Sequence, residues 1–582
     1  MRRPLSETAR LAAGVTRIEA RRALTTAQRP FRLIGRLQSR TPERLVIAPQ
    51  DIRTADPTVA SDIYAGHLAF AGRLVDAHGR SPFDIEPPTE AWAAALHGFG
   101  WLRHLRAADT ALARANARVL VDDWINHCTP GRVPIAWHPE VTARRLLSWL
   151  AQSPLVLDPP DAGFYRRYMK SIGRQVGVLA RALSNGLDGA PRLFAAIALA
   201  EAGVCADGLG GARKAGTRIL TEELRRQFLP DGGHVSRDPG ILVACLLDLL
   251  PLRQAFAARG LPLPTPLMAV IDRAVPVLRM FRHGDGSLAL FNGMGVTEAH
   301  LLATVLSHDD TQARPLGHAP HSGYRRLEAG PALVICDTGA PPAPPFSERA
   351  HAGTLAFEFS HATQRLIVNC GRPAPAATAM QEVARATAAH STLVLDDASS
   401  SRFADGTLRR WFGRQITSGP RQVTAQPNPA SESLGFEVRH DGYAERFGLI
   451  HRRKLTLAAD GSGLFGEDGL EPAAGAKRAS TDMPRPFMLR FHLHPGTRAE
   501  EQAHGKAVML VLPDGTQWMF EAGGQDTRVE ESIFFATSEG PRRTTQIVVP
   551  GLVPARSTVD WSLLRQFARD RDEAGRDPSG PV

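Results

Sequence analysis

Apolar residues recur every three to four positions through the first half of this chain and every second position through much of the rest. In VTARRLLSWLA, Ala143, Leu146, Leu147 and Leu150 fall on one face of a helix, and Leu193, Ala196, Ile197 and Ala200 do so in PRLFAAIALAEAGV. Leu242, Cys245, Leu246 and Leu249 repeat the spacing in DPGILVACLLDLLPLRQAF, where Asp238 can cap the free amides and Pro239 suits the first helical position. Many helices of this length, joined by short connectors, predict helical hairpins stacked in an array or ring.

After about residue 318 the period becomes two: GYRRLEAGPALVICDTG, GTLAFEFS, QRLIVNCG and HSTLVLDD are short alternating runs bounded by Gly, Pro and polar residues. RRKLTLAADGSGLFGE and AVMLVLPDGTQWMF each place Asp-Gly between two apolar runs, a hairpin signal. These runs predict antiparallel sheets packed as a sandwich, with the Pro-rich APPAPPF of residues 340–346 as a loop between strands. The chain thus divides into a basic N-terminal segment (1–50), a helical domain (51–317), a β domain (318–565) and a charged tail (566–582) expected to be disordered.

At 582 residues the chain exceeds what one core usually supports, which agrees with two domains. Apolar content of 43% and charged content of 22% are ordinary for a soluble globular protein. No apolar run approaches the roughly 20 residues that span a bilayer, so no transmembrane segment is expected. The N-terminus lacks an uninterrupted apolar stretch and does not read as a secretory signal. Its recurring arginines suit either a docked helix or a basic amphipathic segment making peripheral contact with an anionic membrane surface. The net charge of +10 comes mostly from arginine. Without a recognition motif or tight basic block it does not point to nucleic acid, although it would concentrate an anionic polymer. Cys128, Cys205, Cys245, Cys336 and Cys370 are odd in number, lack CxxC spacing and sit in apolar segments, as buried free thiols do.

One imidazole stands out in FSERAHAGTLAFEFS. By strand parity His351 points the same way as Leu355, Phe357 and Phe359, towards a core. A buried structural histidine, a metal ligand and a catalytic group are all open for it.

WHPEVTARRLLSWL, SNGLDGAPRLFAAIALAEAG, DGGHVSRDPG, FRHGDGSLALFN, ERAHAGTLAFEFS, RLIVNCG and TAAHSTLVLDD resemble, in this order, the heparinase II/III family across about residues 80–455. The resemblance implies an α+β multidomain fold: an N-terminal α/α toroid (an incomplete helical barrel) followed by a C-terminal antiparallel β-sandwich. It also implies a polysaccharide lyase acting on an acidic, uronate-containing glycan. β-Elimination from a uronate needs the carboxylate's charge neutralised, a base for the α-proton and an acid for the leaving oxygen.

Carried onto this sequence, the family's carboxylate-contacting Asn matches Asn185, followed by Gly186 where many lyases have His. The catalytic Tyr position falls on Ile241, leaving His234 and Arg237 as the nearby groups able to move a proton or bind a carboxylate. The His-x-His pair of the β domain becomes Arg349 and His351, with Gly353 where an acidic residue is common. The implied catalytic set is Asn185, His234, Arg237 and Arg349. The implied metal set, for a structural zinc or calcium, is His351, Asn369 and His390, with the family's Asp replaced by a carboxamide that brings no charge. Against these stand ordinary readings: a turn at Asn185, a hydrogen-bonded loop histidine at His234, and a polar cluster at His351. Tyr324 and Tyr443 are remote alternatives for a base, or partly buried strand residues. Two functions follow: a lyase cleaving an acidic polysaccharide, or a catalytically divergent relative that binds acidic glycan or cell-envelope polymer. A hydrolase would need two carboxylates, and Asp188, Glu201, Asp207 and Asp238 form no such motif. The missing signal suggests the cytoplasm, whereas the resemblance suggests the periplasm or cell envelope.

Overall fold

Helices that are apolar on every side need a second layer of helices to cover them, and this requirement organises the first half of the molecule. The computed structural model describes residues 41–566, except 309–312, 376, 428–433, 476–483 and 555–556, together with positions 12, 13 and 16. Most of the basic N-terminal segment and the charged tail expected above lie outside the described residues.

The longer helices are α1 (Glu90–Gly98), α2 (Ala111–His127), α3 (Pro139–Ala151), α4 (Ala162–Ser184), α5 (Ala190–Cys205), α6 (Gly210–Gln227), α7 (Pro239–Ala258), α8 (Leu267–Met280) and α9 (Ala299–Ser307). Helices α3, α5 and α7 pack side by side as an inner layer, with α4, α6 and α8 as the returning outer members of the hairpins. Ala195 to Cys205 of α5 are all buried, as an inner helix requires. Close approach of α5 and α6 depends on glycine: a Cβ on Gly203 would lie 2.5 Å from the Arg213 backbone, and one on Gly216 2.6 Å from Ala200 N. Helix α7 is long and apolar enough to cross a membrane, but most of it is buried among its neighbours. The inner helices α3, α5 and α7 each carry a proline in their first two positions, at 139, 191 and 239.

Apart from two small two-stranded ribbons in the helical half, the strands begin at the period change near residue 318, with His318–Ala319 and Tyr324–Ala329. Among the described residues, two antiparallel sheets of nine and eight strands face each other across an apolar core in which Trp561 stacks on Phe357 at 5.5 Å. Both Asp-Gly hairpins form, pairing Leu449–Leu457 with Gly463–Pro472 and Ala507–Val511 with Gln517–Glu521. Strand Ala332–Asp337 is buried at all six positions. Leu333 and Ile335 pack on the helical core, whereas Val334 and Cys336 pack on the second sheet. The first sheet is therefore the middle layer of the molecule, covered on both faces. All five cysteines are free and buried.

Strand parity fails at His351. The strand begins only at Phe357, and Leu355 has φ +67°, so the alternation does not extend back to the histidine.

Candidate functional site

A cleft of about 500 Å³ lies where the inner helices meet the first sheet. Its helical wall comes from the first two turns of α3 (Glu140, Arg144), α5 (Pro191, Phe194) and α7 (Ile241, Ala244). The facing wall is the Pro-rich loop, through Pro345, Phe346, Glu348 and Arg349, with Arg414 beside it and Asn292 at the seam. Asp238 caps α7, its Oδ1 accepting from Gly240 N at 2.8 Å, and its Oδ2 pairs with Arg349 Nη2 at 3.2 Å. One carboxylate thus ends a helix and holds a cation from the opposite wall. The Arg349 side chain keeps 39% of its surface open. Burial pushes the Glu140 carboxyl upward, with the nearby Glu348 adding to the effect.

Of the proposed catalytic set, only Arg349 lines this cleft. Asn185 sits exposed just beyond the end of α4, away from the cleft lining, and its backbone N–H donates to Arg181 O at 2.8 Å. His234 is buried behind the wall. Its Nδ1 accepts from Ser236 N (3.1 Å), its Nε2 lies 3.0 Å from Gln227 Oε1, and its ring meets that of the cleft residue Phe346 edge-on at 6.2 Å. Burial drives its pKa down to about 3, so it is a neutral, fully bonded histidine.

Arg237 is a structural rivet between the two halves. Its guanidinium donates to Ser322 O (2.7 Å), Gly323 O (2.8 Å) and Ala340 O (3.0 Å), pairs with Asp337 Oδ1 (2.5 Å) and lies 4.6 Å from the Tyr324 ring centre. No donor is left to receive a substrate carboxylate in this geometry. Burial alone would lower its pKa, but Asp337 outweighs burial and raises it. Tyr324 donates to Arg237 O at 2.7 Å and accepts from Asn292 at 2.8 Å, while Tyr443 donates to Leu393 O at 2.9 Å; burial raises both phenols, so neither is a ready base. Tyr443 is in addition not a strand residue, standing instead at the start of a short helix.

The metal trio is only partly assembled. His351 Nδ1 lies 3.0 Å from His390 Nε2. Asn369 is turned elsewhere: its amide nitrogen donates to Glu358 Oε1 (3.2 Å), and its Oδ1 accepts from Ser391 N (3.0 Å). Glu358 also meets His283 at 2.9 Å, so Asn369 belongs to a buried seam between the halves. His351 is surrounded by cationic residues: after burial and His390, Arg385, Arg372 and Arg349 depress its basicity. Two imidazoles, a committed carboxamide and adjacent guanidiniums do not fit a divalent cation. Among the described residues, no group of three or more His, Cys, Asp or Glu forms a metal-binding cluster.

Sequence reasoning missed Glu140, Arg144, Asn292, Phe346, Glu348 and Arg414 as cleft residues. Glu140 and Arg144 lay inside a family-like motif, and Phe346 at the end of the Pro-rich loop, but no local signal distinguished their roles. Arg144 is held by a bidentate pair with Asp248 (2.8 and 2.7 Å), which Arg53 also contacts at 2.6 Å.

A family model for the heparinase II/III-like C-terminal domain matches residues 311–562. FtsZ-localized protein C of Caulobacter vibrioides is 34% identical over 535 residues, covering 90% of this chain and 91% of that protein. A mutant of the heparan sulfate lyase HepC from Pedobacter heparinus superposes with TM-score 0.61 at 16% identity, over 97% of this chain and 91% of the lyase. Heparinase III superposes with TM-score 0.64 at 13% identity, over 85% of this chain and 79% of that one. These superpositions agree with a helical toroid followed by a sandwich. With the family's C-terminal domain matched over residues 311–562 and the same fold across both halves, the chain belongs to the heparinase II/III-like family of polysaccharide-lyase-like proteins.

Proposed function

We propose that the cleft binds an acidic polysaccharide without cutting it by β-elimination. The observation that carries this reading is the pair Ile241 and Arg349, which line the cleft at the positions matched to the family's catalytic Tyr and His. Isoleucine cannot donate a proton to the leaving oxygen, and a guanidinium stays cationic and cannot accept the α-proton. His234, Tyr324 and Tyr443 are engaged in buried hydrogen bonds and do not supply a replacement base. The cations Arg349 and Arg414 still suit a carboxylated polymer, as does the net charge of +10.

The test is incubation of the protein with a panel of uronans, reading absorbance of the new C4–C5 double bond beside affinity electrophoresis on the same polymers. Retardation by at least one uronan without unsaturated product is expected. Appearance of the product, or no retardation by any polymer, rejects the proposal.

A second reading comes from the 34% identical relative, whose name places it at FtsZ. In that reading the lyase fold serves as a scaffold that associates with FtsZ. Co-sedimentation with FtsZ polymers is its measurement, and absence from the polymer pellet would reject it.

A further inference from the structure

Just behind the sheet-side wall of the cleft, next to its lining residues Asn292 and Arg349, lie polar atoms that the protein itself leaves without partners. His390 Nδ1 lies 2.8 Å from Ala386 O, a contact that requires the hydrogen on that nitrogen. His390 Nε2 is then a bare lone pair, so the hydrogen in its 3.0 Å contact with His351 Nδ1 belongs to His351. That tautomer leaves His351 Nε2 as a second bare lone pair. It is buried with no donor, on a ring only 2% exposed.

The groups near this acceptor are guanidiniums. Arg349 and Arg372 both bear electrostatically on His351, and the Nε–H of each is buried without an acceptor. Arg349 has its ion pair with Asp238 Oδ2, at 3.2 Å but without hydrogen-bond alignment. Arg372 has no side-chain hydrogen bond or ion pair among the described residues. Its placement is set by the backbone: Arg372 N donates to Met294 O at 3.0 Å. The neighbouring Gly293 fits closely against Arg349, since a Cβ there would lie 2.6 Å from Arg349 O. Asn292, which lines the cleft, accepts a long contact from His351 N at 3.5 Å. The Asn292–Gly295 turn therefore gathers Arg349, His351 and Arg372 at one place on the seam.

Buried polar groups in native proteins find partners, and cations taken out of water need an anion. Here the open groups are N–H donors on two cations beside one lone pair, and the single carboxylate at hand, Asp238, whose Oδ2 has no aligned donor, answers only one of the two charges. A divalent cation would meet like charge, and water would satisfy the hydrogen bonds but not the charge. A fitting ligand brings anionic oxygens for the guanidiniums and a hydrogen for the imidazole.

We propose that Arg349, Arg372 and His351 form a subsite for an oxyanion carrying a hydroxyl hydrogen, as in the carboxylate and ring hydroxyl of a uronic acid or in hydrogen phosphate. The guanidiniums take the anionic oxygens, and His351 Nε2 accepts from the hydroxyl. As a description of glycan binding this rests on the reading above, in which the cleft holds an acidic polysaccharide; as an anion site it stands alone.

The test titrates the full chain at pH 7 with glucuronate, inorganic phosphate, sulfate and glucose, by calorimetry and by the shift in melting temperature, using wild type and Arg372→Gln. Arg372 is not fully buried, and thermal melting of the variant alone verifies that it folds. Glucuronate or phosphate is expected to bind and to raise the melting temperature. Sulfate, which offers no hydrogen to His351, is expected to bind about tenfold more weakly, and glucose not to bind. Arg372→Gln should weaken the anion about tenfold or more, the effect of losing a charge-assisted contact. The tighter of the first two probes identifies the source of the oxyanion. Equal binding of sulfate, unchanged affinity in Arg372→Gln, or no anion binding overturns the subsite. If uronan retardation persists unchanged in Arg372→Gln, the subsite falls and glycan binding stands. If small anions bind in the expected pattern but no uronan is retarded, the subsite stands and glycan binding falls.

Discussion

Replacing Arg237 by methionine separates a structural arginine from a ligand-binding one. The substitution keeps the length of the stem and removes the guanidinium that joins the loop ahead of α7 to the first strands of the sandwich. It leaves Asp337, 2% exposed, without its cation, although Gly339 N and the Asn292 amide still donate to that carboxylate at 3.1 Å each. Removing one member of a buried ion pair costs about 3–5 kcal/mol. The carbonyls of Ser322 and Gly323 also lose donors at 2.7 and 2.8 Å, which places the loss towards the upper end of that range. Arg237→Lys should recover only part, because an ammonium cannot reach a carboxylate and several carbonyls in a planar fork. Urea unfolding followed by tryptophan fluorescence measures both variants, since buried tryptophans report on each half: Trp92, Trp124 and Trp149 in the toroid, Trp518 and Trp561 in the sandwich. A loss below about 1 kcal/mol, the value of a solvated pair, would refute the rivet. So would full stability accompanied by abolished uronan binding.

The buried imidazoles make a pH prediction of definite sign. Burial holds His234 and His492 down to about 3, and His97 and His390 to about 4. In the unfolded chain each protonates near 6.5, so the unfolded state takes up protons first as pH falls. The stability they contribute is whole above pH 6.5 and drains away towards pH 4, on the order of 1–2 kcal/mol apiece by pH 5. Glu201, which burial pushes up to about 8, works in the opposite sense but is outnumbered by the buried imidazoles. Melting temperatures from pH 7.5 to 5 should therefore fall, and a flat profile contradicts the assignment. In the sandwich, Asp468 accepts from Arg453 (2.8 Å) and Trp561 (2.9 Å) and lies 2.8 Å from His451. Asp468→Asn strands a buried guanidinium and should cost about 3–5 kcal/mol in urea unfolding; a cost under about 1 kcal/mol would show that the network is dispensable. Because Asn369 is committed to Glu358 and Ser391, neither zinc, calcium nor a chelator should move the melting temperature. A rise that saturates with metal concentration would reinstate the metal set.

What could be read from sequence was local. The change of period near residue 318, the Asp238 cap with Pro239, and both Asp-Gly hairpins each depend on residues within a few positions of one another, and each appears where expected. The core faces of α3, α5 and α7 were legible for the same reason. The site was not, because its side chains are committed over long separations. Arg237 bonds to residues 85–103 positions away, and Asn369 to one 22 positions away. Matching a motif identifies which residue stands at a position, but not which buried carbonyl or carboxylate has claimed it. Strand parity failed at His351 because a single left-handed residue, Leu355, interrupts the alternation, and nothing in HAGTLAF announces a positive φ there.

The departures from the lyase pattern have a common physical consequence. A histidine at position 349 could exchange protons near neutral pH; the arginine there cannot, and it instead brings a permanent cation that Asp238 ties to the start of α7. A carboxylate at position 369 would compete with Glu358, whose Oε1 already accepts from the backbone and side chain of Asn369 at 2.9 and 3.2 Å. The neutral amide is thus what lets Glu358 sit at the seam and meet His283 at 2.9 Å. With the third ligand lost to the seam, the two imidazoles left over bond to each other, and the guanidiniums beside them make the locality attractive to anions. The absence of proton-transfer groups and of a cation-binding trio are then two sides of one local charge balance, and that balance is the physical ground for proposing that the cleft holds an acid without eliminating from it.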